Sequence, residues 1–529
     1  MPIRMEDDPF EPSGGGGRSP RRGGGDTGGG GILAWLPLLL SLFRGRSLLG
    51  LAVVAALWFF MDRGGCGGMG GLLQDMPNLS TGGFLDPRQF GKASIYEALA
   101  DDDGRNPLPE SASLLPYAPP VGNQGRQGSC VAWSSAYAAR SILEAVRTGK
   151  GGTVYSPAFL YNQIGLEDCQ GSYIGRAMEY MTRQGSVPFA DFPYDEGDCT
   201  RQPDAGLVRE AAAGRMRGFT RLTPGDRSDR VDLRAIREHL SQGAPVVIGM
   251  MVGRSFMQDM QGRELWTPGL DDRGFLGMGG HAMCVVGYDD RRHGGAFQLM
   301  NSWGPEWGRN GFAWVRYADF SHFVREAYGL EPMPRAPGAG RPELTCEVGL
   351  VGVEPEAGRM VPRGQIPLRR EEERACQTRT PLSIGSRFKA EVRNSDECHV
   401  YLFGSETDGS AYTLFPYPSR EDPATTKYSA FCGISGYRLF PRDKSMTPDS
   451  VGRRDEIAVV VSKRELDWHG IQEAMNRTPG RSFRQRLADA LPARAAMGPV
   501  EVTEQGSMRF TVGNRPDALA WCVIRIDKR

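Results

Sequence analysis

The sequence predicts an α+β chain in which a mixed helical and stranded unit is followed by a mostly-β domain. Three observations predict it. A helix-forming stretch opens on a cysteine, "SCVAWSSAYAARSILEAVRTG" (129–149). Glycine-flanked apolar strands follow within the same unit, at "GGHAMCVVGYDD" and "AFQLM". Beyond residue 343 the apolar runs are short and alternating, as in "CHVYLFG", "YTLFPY", "EIAVVVS" and "WCVIRI".

Composition narrows the function classes. Among 529 residues, 63 Lys plus Arg balance 63 Asp plus Glu, so the formal net charge is zero. That argues against nucleic acid as an obligatory partner, because binding phosphates needs a basic surface. Ten cysteines occur without a CxxC pair, which disfavours a thiolate zinc ribbon. Their scatter suits an oxidising compartment.

Residues 1–31 are glycine-rich and are expected to be disordered. Residues 32–61 are expected to form a membrane segment. It holds "ILAWLPLLLSLF" (32–43) and "SLLGLAVVAALWFFM" (47–61). Neither run reaches the ~20 residues of an ordinary span, and the second is the better candidate. Arg18, Arg21, Arg22, Arg44 and Arg46 precede it, so the positive-inside rule keeps the N-terminus cytoplasmic and sends residues 62–529 to the periplasm or exterior. A cleaved signal peptide, a lipoprotein and a buried hydrophobic hairpin are the alternatives. Residues 62–110 are rich in Gly, Asp and Pro and are read as a stalk. Residues 111–333 form the first globular unit, 334–342 a Pro/Gly linker and 343–529 the β-rich domain, interrupted by one helix near 481–495.

The first unit carries the chemistry. Cys130 lies in the first turn of its helix, where free N–H groups and the helix dipole favour a thiolate. Either it is a nucleophile or it is a small buried hydrophobe. Of six histidines, His239 is read as solvated on an amphipathic surface helix. His281 stands apart, at the mouth of a buried strand after Gly279 and Gly280. A neutral imidazole there would take a thiol's proton; the bland reading is a satisfied core histidine. Asn301 in "NSWGPEWGRNGFAWVRY" would accept a hydrogen bond from His281, with Trp303 and Trp307 shielding it; the bland reading is an Asn capping a turn. Each bland reading stands alone, but the three residues form an ordered set.

With "NQGRQGSCVAWS", "GGHAMCVVGYDD" and "MNSWGPEWGRNGFAWVRY", residues 111–333 resemble the papain family of cysteine peptidases, in a divergent, bacterial-type branch. The resemblance implies a two-lobed domain, one lobe helical and one β-barrel-like. It implies Cys130 as nucleophile, His281 as base and acid, Asn301 as orienter, and Gln124 with the Cys130 N–H as oxyanion donors. Gly171, Ser172, Gly280 and Trp303 would border the substrate, a peptide or protein. No metal or organic cofactor is implied. Relatives often carry cysteine where this chain has Gln127 and tryptophan where it has Val131. With the Gln127 cysteine missing, the resemblance leaves Cys169 to pair with Cys199. No long helical inhibitory propeptide is expected between the membrane segment and Leu114.

The β-rich domain is similar to accessory domains attached to bacterial peptidases and kinases, and is either a surface for a protein partner or a passive spacer. The leading expectation is therefore a membrane-anchored cysteine endopeptidase. The rivals are a catalytically quiet scaffold of the same fold and an envelope transpeptidase or amidase.

Overall fold

The computed structural model describes residues 3–8 and 81–529, apart from 150, 226–229, 275–277, 335–342, 357, 479, 493–497 and 514. The expected membrane segment, most of the glycine-rich N-terminus, residues 62–80 and nearly all of the 334–342 linker lie outside the described residues. Among the described residues no helix is long and apolar enough to cross a membrane.

The first unit is α+β, as its patterning predicts. One antiparallel sheet runs β3 (Phe219–Arg221), β8 (Val324–Leu330), β4 (Val246–Val252), β5 (Gly279–Asp289), β6 (Ala296–Met300), β7 (Phe312–Arg316), with β2 (Ser111–Ser113) paired to β5. β4 reads "VVIGMMV" and is buried almost throughout, because both faces are covered. Helices stand on the other side of the unit. Pro157–Ile164 is capped by Ser156, whose side chain accepts from Phe159 N–H, with Pro157 in its first turn. The cysteine-led helix runs through Cys130–Ala132, a π-wound Trp133–Arg140 and Ser141–Thr148. Gly149 closes it at φ 72°, a left-handed turn that glycine adopts without strain.

The second unit is a two-sheet sandwich. One sheet is ordered around Phe388–Asn394 and Leu344–Glu356, the other around Leu519–Asp527, Arg454–Ser462 and Cys398–Ser405. Val348, Val392, Val400, Val459, Phe510 and Ile524 fill the space between them. Two helices, Trp468–Asn476 and Phe483–Ala490, cover the outer face over Tyr401, Phe403, Val460 and Trp521. The sequence reading held only the second of these helices.

Three expectations change. The start of the chain, read as disordered, contains strand β1 (Ile3–Asp7), which adds antiparallel to the edge strand Lys444–Pro448 of the sandwich. Residues 81–110, read as stalk, are packed. Ile95 bridges Arg221 of the first unit and Tyr428 of the second, and Ala100 N–H donates to Tyr437 O at 2.8 Å. His239, read as solvated, is fully buried, because Tyr96 from that same segment lies edge-on to its ring at 4.6 Å. A helix that looks amphipathic in isolation is here covered by a distant part of the chain.

Candidate active site

Cys130 opens its helix at the floor of a cleft between the helices and β5. The loop before it is held by Gln124, whose N–H donates to Ser302 O at 2.8 Å and whose carbonyl accepts from Tyr194 OH at 2.8 Å. Where relatives place a tryptophan, Val131 is buried; the indole is supplied two residues on by Trp133, which packs on Tyr137 and Tyr194. Gln127, in place of a bridging cysteine, donates through its amide to Asp195 O at 3.3 Å. The Cys169–Cys199 disulfide is present, with the Cα atoms 6.0 Å apart.

His281 is the third residue of β5, opposite Met250 of β4. Asn301 follows β6, the next strand in the sheet. Its Oδ1 accepts from Ser302 N–H at 2.8 Å and lies 2.7 Å from His281 Nε2. The backbone donor identifies that atom as the oxygen, so the imidazole Nε2 carries the hydrogen and Nδ1 carries the lone pair. Nδ1 is buried and has no hydrogen-bond partner. Trp303 stacks on the imidazole at 4.2 Å, fixing the ring plane. Trp303 is thus seated over His281, while Trp307 donates its indole N–H to Phe256 O at 2.8 Å.

Gln124 lies beside these groups. Its Nε2 donates to Gln127 O at 2.9 Å and its Oε1 accepts from Ser302 Oγ at 2.7 Å. Ser302 therefore touches both Asn301 and Gln124, a link that only its position within "NSWG" hinted at.

The cleft is occupied by the chain itself. Residues 81–86, here termed the strap, run between its two walls. Gly83 N–H donates to Gly280 O at 3.1 Å. On the opposite wall Phe84 N–H donates to Ser172 O at 3.0 Å, and Ser172 N–H donates to Gly82 O at 2.9 Å. Gly83 therefore bridges Ser172 in the parallel sense. Gly171, Ser172 and Gly280, expected along the substrate, border the strap backbone. The fit admits only glycine: a Cβ on Gly82 would stand 2.1 Å from Gly128 O, and one on Gly280 would stand 2.0 Å from Gly83 O. The signal for this in sequence is slight, since "TGGFLD" has no period.

The strap sets the electrostatics. Cys130 is fully buried, and burial pushes its thiol up to about 11, against the lowering effect of backbone N–H groups from Ala282, Gly82, Val131 and Cys130 itself. The Ala282 N–H lies 3.5 Å from the sulfur. Burial likewise lowers His281 to about 4, opposed by the Asn301 hydrogen bond. The helix N-terminus alone was expected to favour a thiolate. In the covered cleft desolvation outweighs it, and thiol and imidazole are both neutral.

A family model described as "Papain family cysteine protease" matches residues 114–330. Over 236 residues the chain is 29% identical to cathepsin K of Mus musculus, covering 44% of this chain and 66% of that protein. Over 209 residues it is 27% identical to cathepsin L2 of Homo sapiens, covering 37% and 56%. Among solved structures, xylellain, a cysteine protease from Xylella fastidiosa, aligns with a TM-score of 0.40 at 22% identity, over 48% of this chain and 96% of that one. The chain thus spans less than two thirds of the length of these two curated relatives.

Proposed function

We propose, from a chain whose residues 114–330 carry a papain-family domain, that it is a cysteine endopeptidase acting through Cys130, His281 and Asn301. The observation that carries this reading is the buried, unpartnered Nδ1 of His281, on a ring whose Nε2 is committed to Asn301 at 2.7 Å. A base needs a lone pair, a fixed tautomer and a fixed plane, and this imidazole has all three.

In the proposed reaction His281 Nδ1 takes the Cys130 proton. The thiolate adds to a peptide carbonyl, and the Cys130 N–H and the Gln124 amide, once released from Gln127 O, stabilise the oxyanion. The C–N bond breaks as His281 returns the proton to the leaving amine. His281 then takes a proton from water, which hydrolyses the thioester and restores the thiol. A transpeptidase differs only in replacing that water with an amine.

Membrane attachment through residues 32–61 is a proposal that rests on their sequence.

The activity is tested by fluorogenic peptide hydrolysis with the full chain carrying Gly82→Ala, which opens the cleft. Turnover that disappears on adding Cys130→Ala supports the reading. Turnover that survives Cys130→Ala, or none with either chain, overturns it.

A further inference from the structure

The sandwich has no assigned role, yet much of what holds the chain just after the strap lies there. From Asp86 the chain makes one short helix, Pro87–Phe90, and then enters the seam between the units. Ile95 N–H donates to Lys427 O at 2.7 Å, and Ile95 O accepts from Ser429 N–H at 3.1 Å. Arg438 Nε donates to Glu97 O at 2.9 Å, and Arg442 Nη1 donates to Tyr96 O at 3.1 Å. Asn106 closes the run. Its Nδ2 donates to Tyr437 O at 2.8 Å and its Oδ1 accepts from Tyr437 N–H at 2.9 Å, copying a strand pairing with one side chain. Arg105 lies over the Tyr437 ring at 3.8 Å and pairs with Glu391.

The first unit holds this run too: Tyr96 N–H donates to Arg221 O at 3.1 Å, Arg221 N–H to Ser94 O at 2.8 Å, and Arg234 Nη2 to Asn106 O at 3.3 Å. Asp86 N–H donates to Glu326 Oε1 at 2.9 Å, and Leu99 N–H to Glu238 Oε2 at 3.2 Å. Phe90 lies edge-on to Tyr328 at 5.1 Å. Inside the cleft the strap makes three backbone hydrogen bonds, and two of its residues are glycines with no side chain to bury. Phe84, 5.8 Å from the Tyr173 ring, and Leu85, lying over Gly249, add apolar contact, but the two glycines lose much conformational freedom on docking, and anchoring outside the cleft offsets that loss.

The strap is also not presented as a substrate. The group it turns to the Cys130 sulfur is the Gly82 N–H. In a trans peptide the Thr81 carbonyl then points away. The Gly82 carbonyl is held by Ser172 N–H, and the Gly83 carbonyl is turned to the Gly280 wall. A thiolate needs a carbonyl carbon, and none faces it.

We infer that the C-terminal sandwich is an intramolecular clamp, whose grip on residues 95–106 holds the strap in the cleft and keeps Cys130 covered. Loosening the grip uncovers the cleft, rehydrates the Cys130–His281 pair and admits substrate. This rests on the proposed peptidase reading for what the opened site does, but not for the opening itself.

The test is the rate of Cys130 alkylation by iodoacetamide in the full chain, mapped by peptide mass spectrometry. Gly82→Ala, which cannot fit, reports the uncovered rate. Asn106→Ala, remote from the cleft, removes the side-chain partner of the Tyr437 N–H and leaves Tyr437 O with the Ala100 N–H alone, and is expected to raise the rate about tenfold. Arg105→Ala, at a more exposed position, gives the same direction and serves if Asn106→Ala does not fold. Hydrogen exchange is expected to show Gly83 and Phe84 amides losing protection while β4 and β5 keep theirs. A raised rate in Gly82→Ala alone overturns the clamp. An unchanged rate in all three overturns both clamp and strap. Faster alkylation in the clamp variants without peptide hydrolysis supports the clamp and defeats the peptidase reading.

Discussion

His281 Nε2 lies 2.7 Å from Asn301 Oδ1, and the same oxygen accepts from Ser302 N–H. The amide is thereby locked as an acceptor, and the imidazole has one tautomer. The lone pair on Nδ1 follows from that single bond, with Trp303 stacked on the ring to hold its plane.

Asn301→Ala is therefore expected to lower kcat by about 10- to 100-fold with little change in KM, measured in the Gly82→Ala chain. The Asn301 hydrogen bond raises the His281 pKa against burial. Removing it lets that pKa fall further, so the acid limb of the kcat/KM profile should move to lower pH. A limb that stays in place would show that His281 is not the titrating base.

Peptide hydrolysis by Gly82→Ala should exceed that of the unaltered chain by about tenfold or more, because the new Cβ meets Gly128 O at 2.1 Å and expels the strap. Equal rates from the two chains would mean that the strap does not obstruct substrate.

The seam is expected to weaken as pH rises. Glu97 is fully buried, neither carboxylate oxygen has a hydrogen-bond partner, and burial raises its pKa from 4.5 to about 8 despite Arg442. A raised folded-state pKa means that the protonated form stabilises the fold. That contribution is complete below pH 4.5 and is lost as pH climbs through about 8. Thermal unfolding between pH 5 and 8 should show a fall in Tm that is smaller by roughly 2–4 °C in Glu97→Gln. Parallel curves for the two proteins would remove Glu97 from the account.

Reduction of Cys169–Cys199, or Cys199→Ser, opens a loop of sequence separation 30 beside the Ser172 wall. A loss of about 2–4 kcal/mol in unfolding free energy is expected by denaturant titration. No change would mean that the bridge constrains little in the unfolded chain.

How much of this was legible in the sequence differs by element. Cys130, His281 and Asn301 could be read because a helix start, a strand mouth and a strand exit each leave a local pattern, and the motifs fall in order. That the second unit is mostly β could be read from its alternating runs, whereas its packing into two sheets could not. The strap could not, because "TGGFLD" pairs through backbone atoms, which no side-chain pattern reports. β1 was hidden for a related reason: "IRMED" is five residues beside a glycine tract, and its partner strand begins at Lys444. His239 was misread because its cover, Tyr96 and the seam, comes from far along the chain. The thiol's protonation state depends on that same long-range covering, so a helix N-terminus alone pointed the wrong way.

The central claim is that Cys130 is a nucleophile served by His281. It is tested most directly by treating the full-length Gly82→Ala chain with a peptidyl epoxide and locating the adduct by mass spectrometry. The account predicts one covalent adduct, on Cys130, formed at least about tenfold more slowly when His281→Ala is added. An adduct that forms at the same rate without His281, or none at Cys130 in the folded protein, would contradict it.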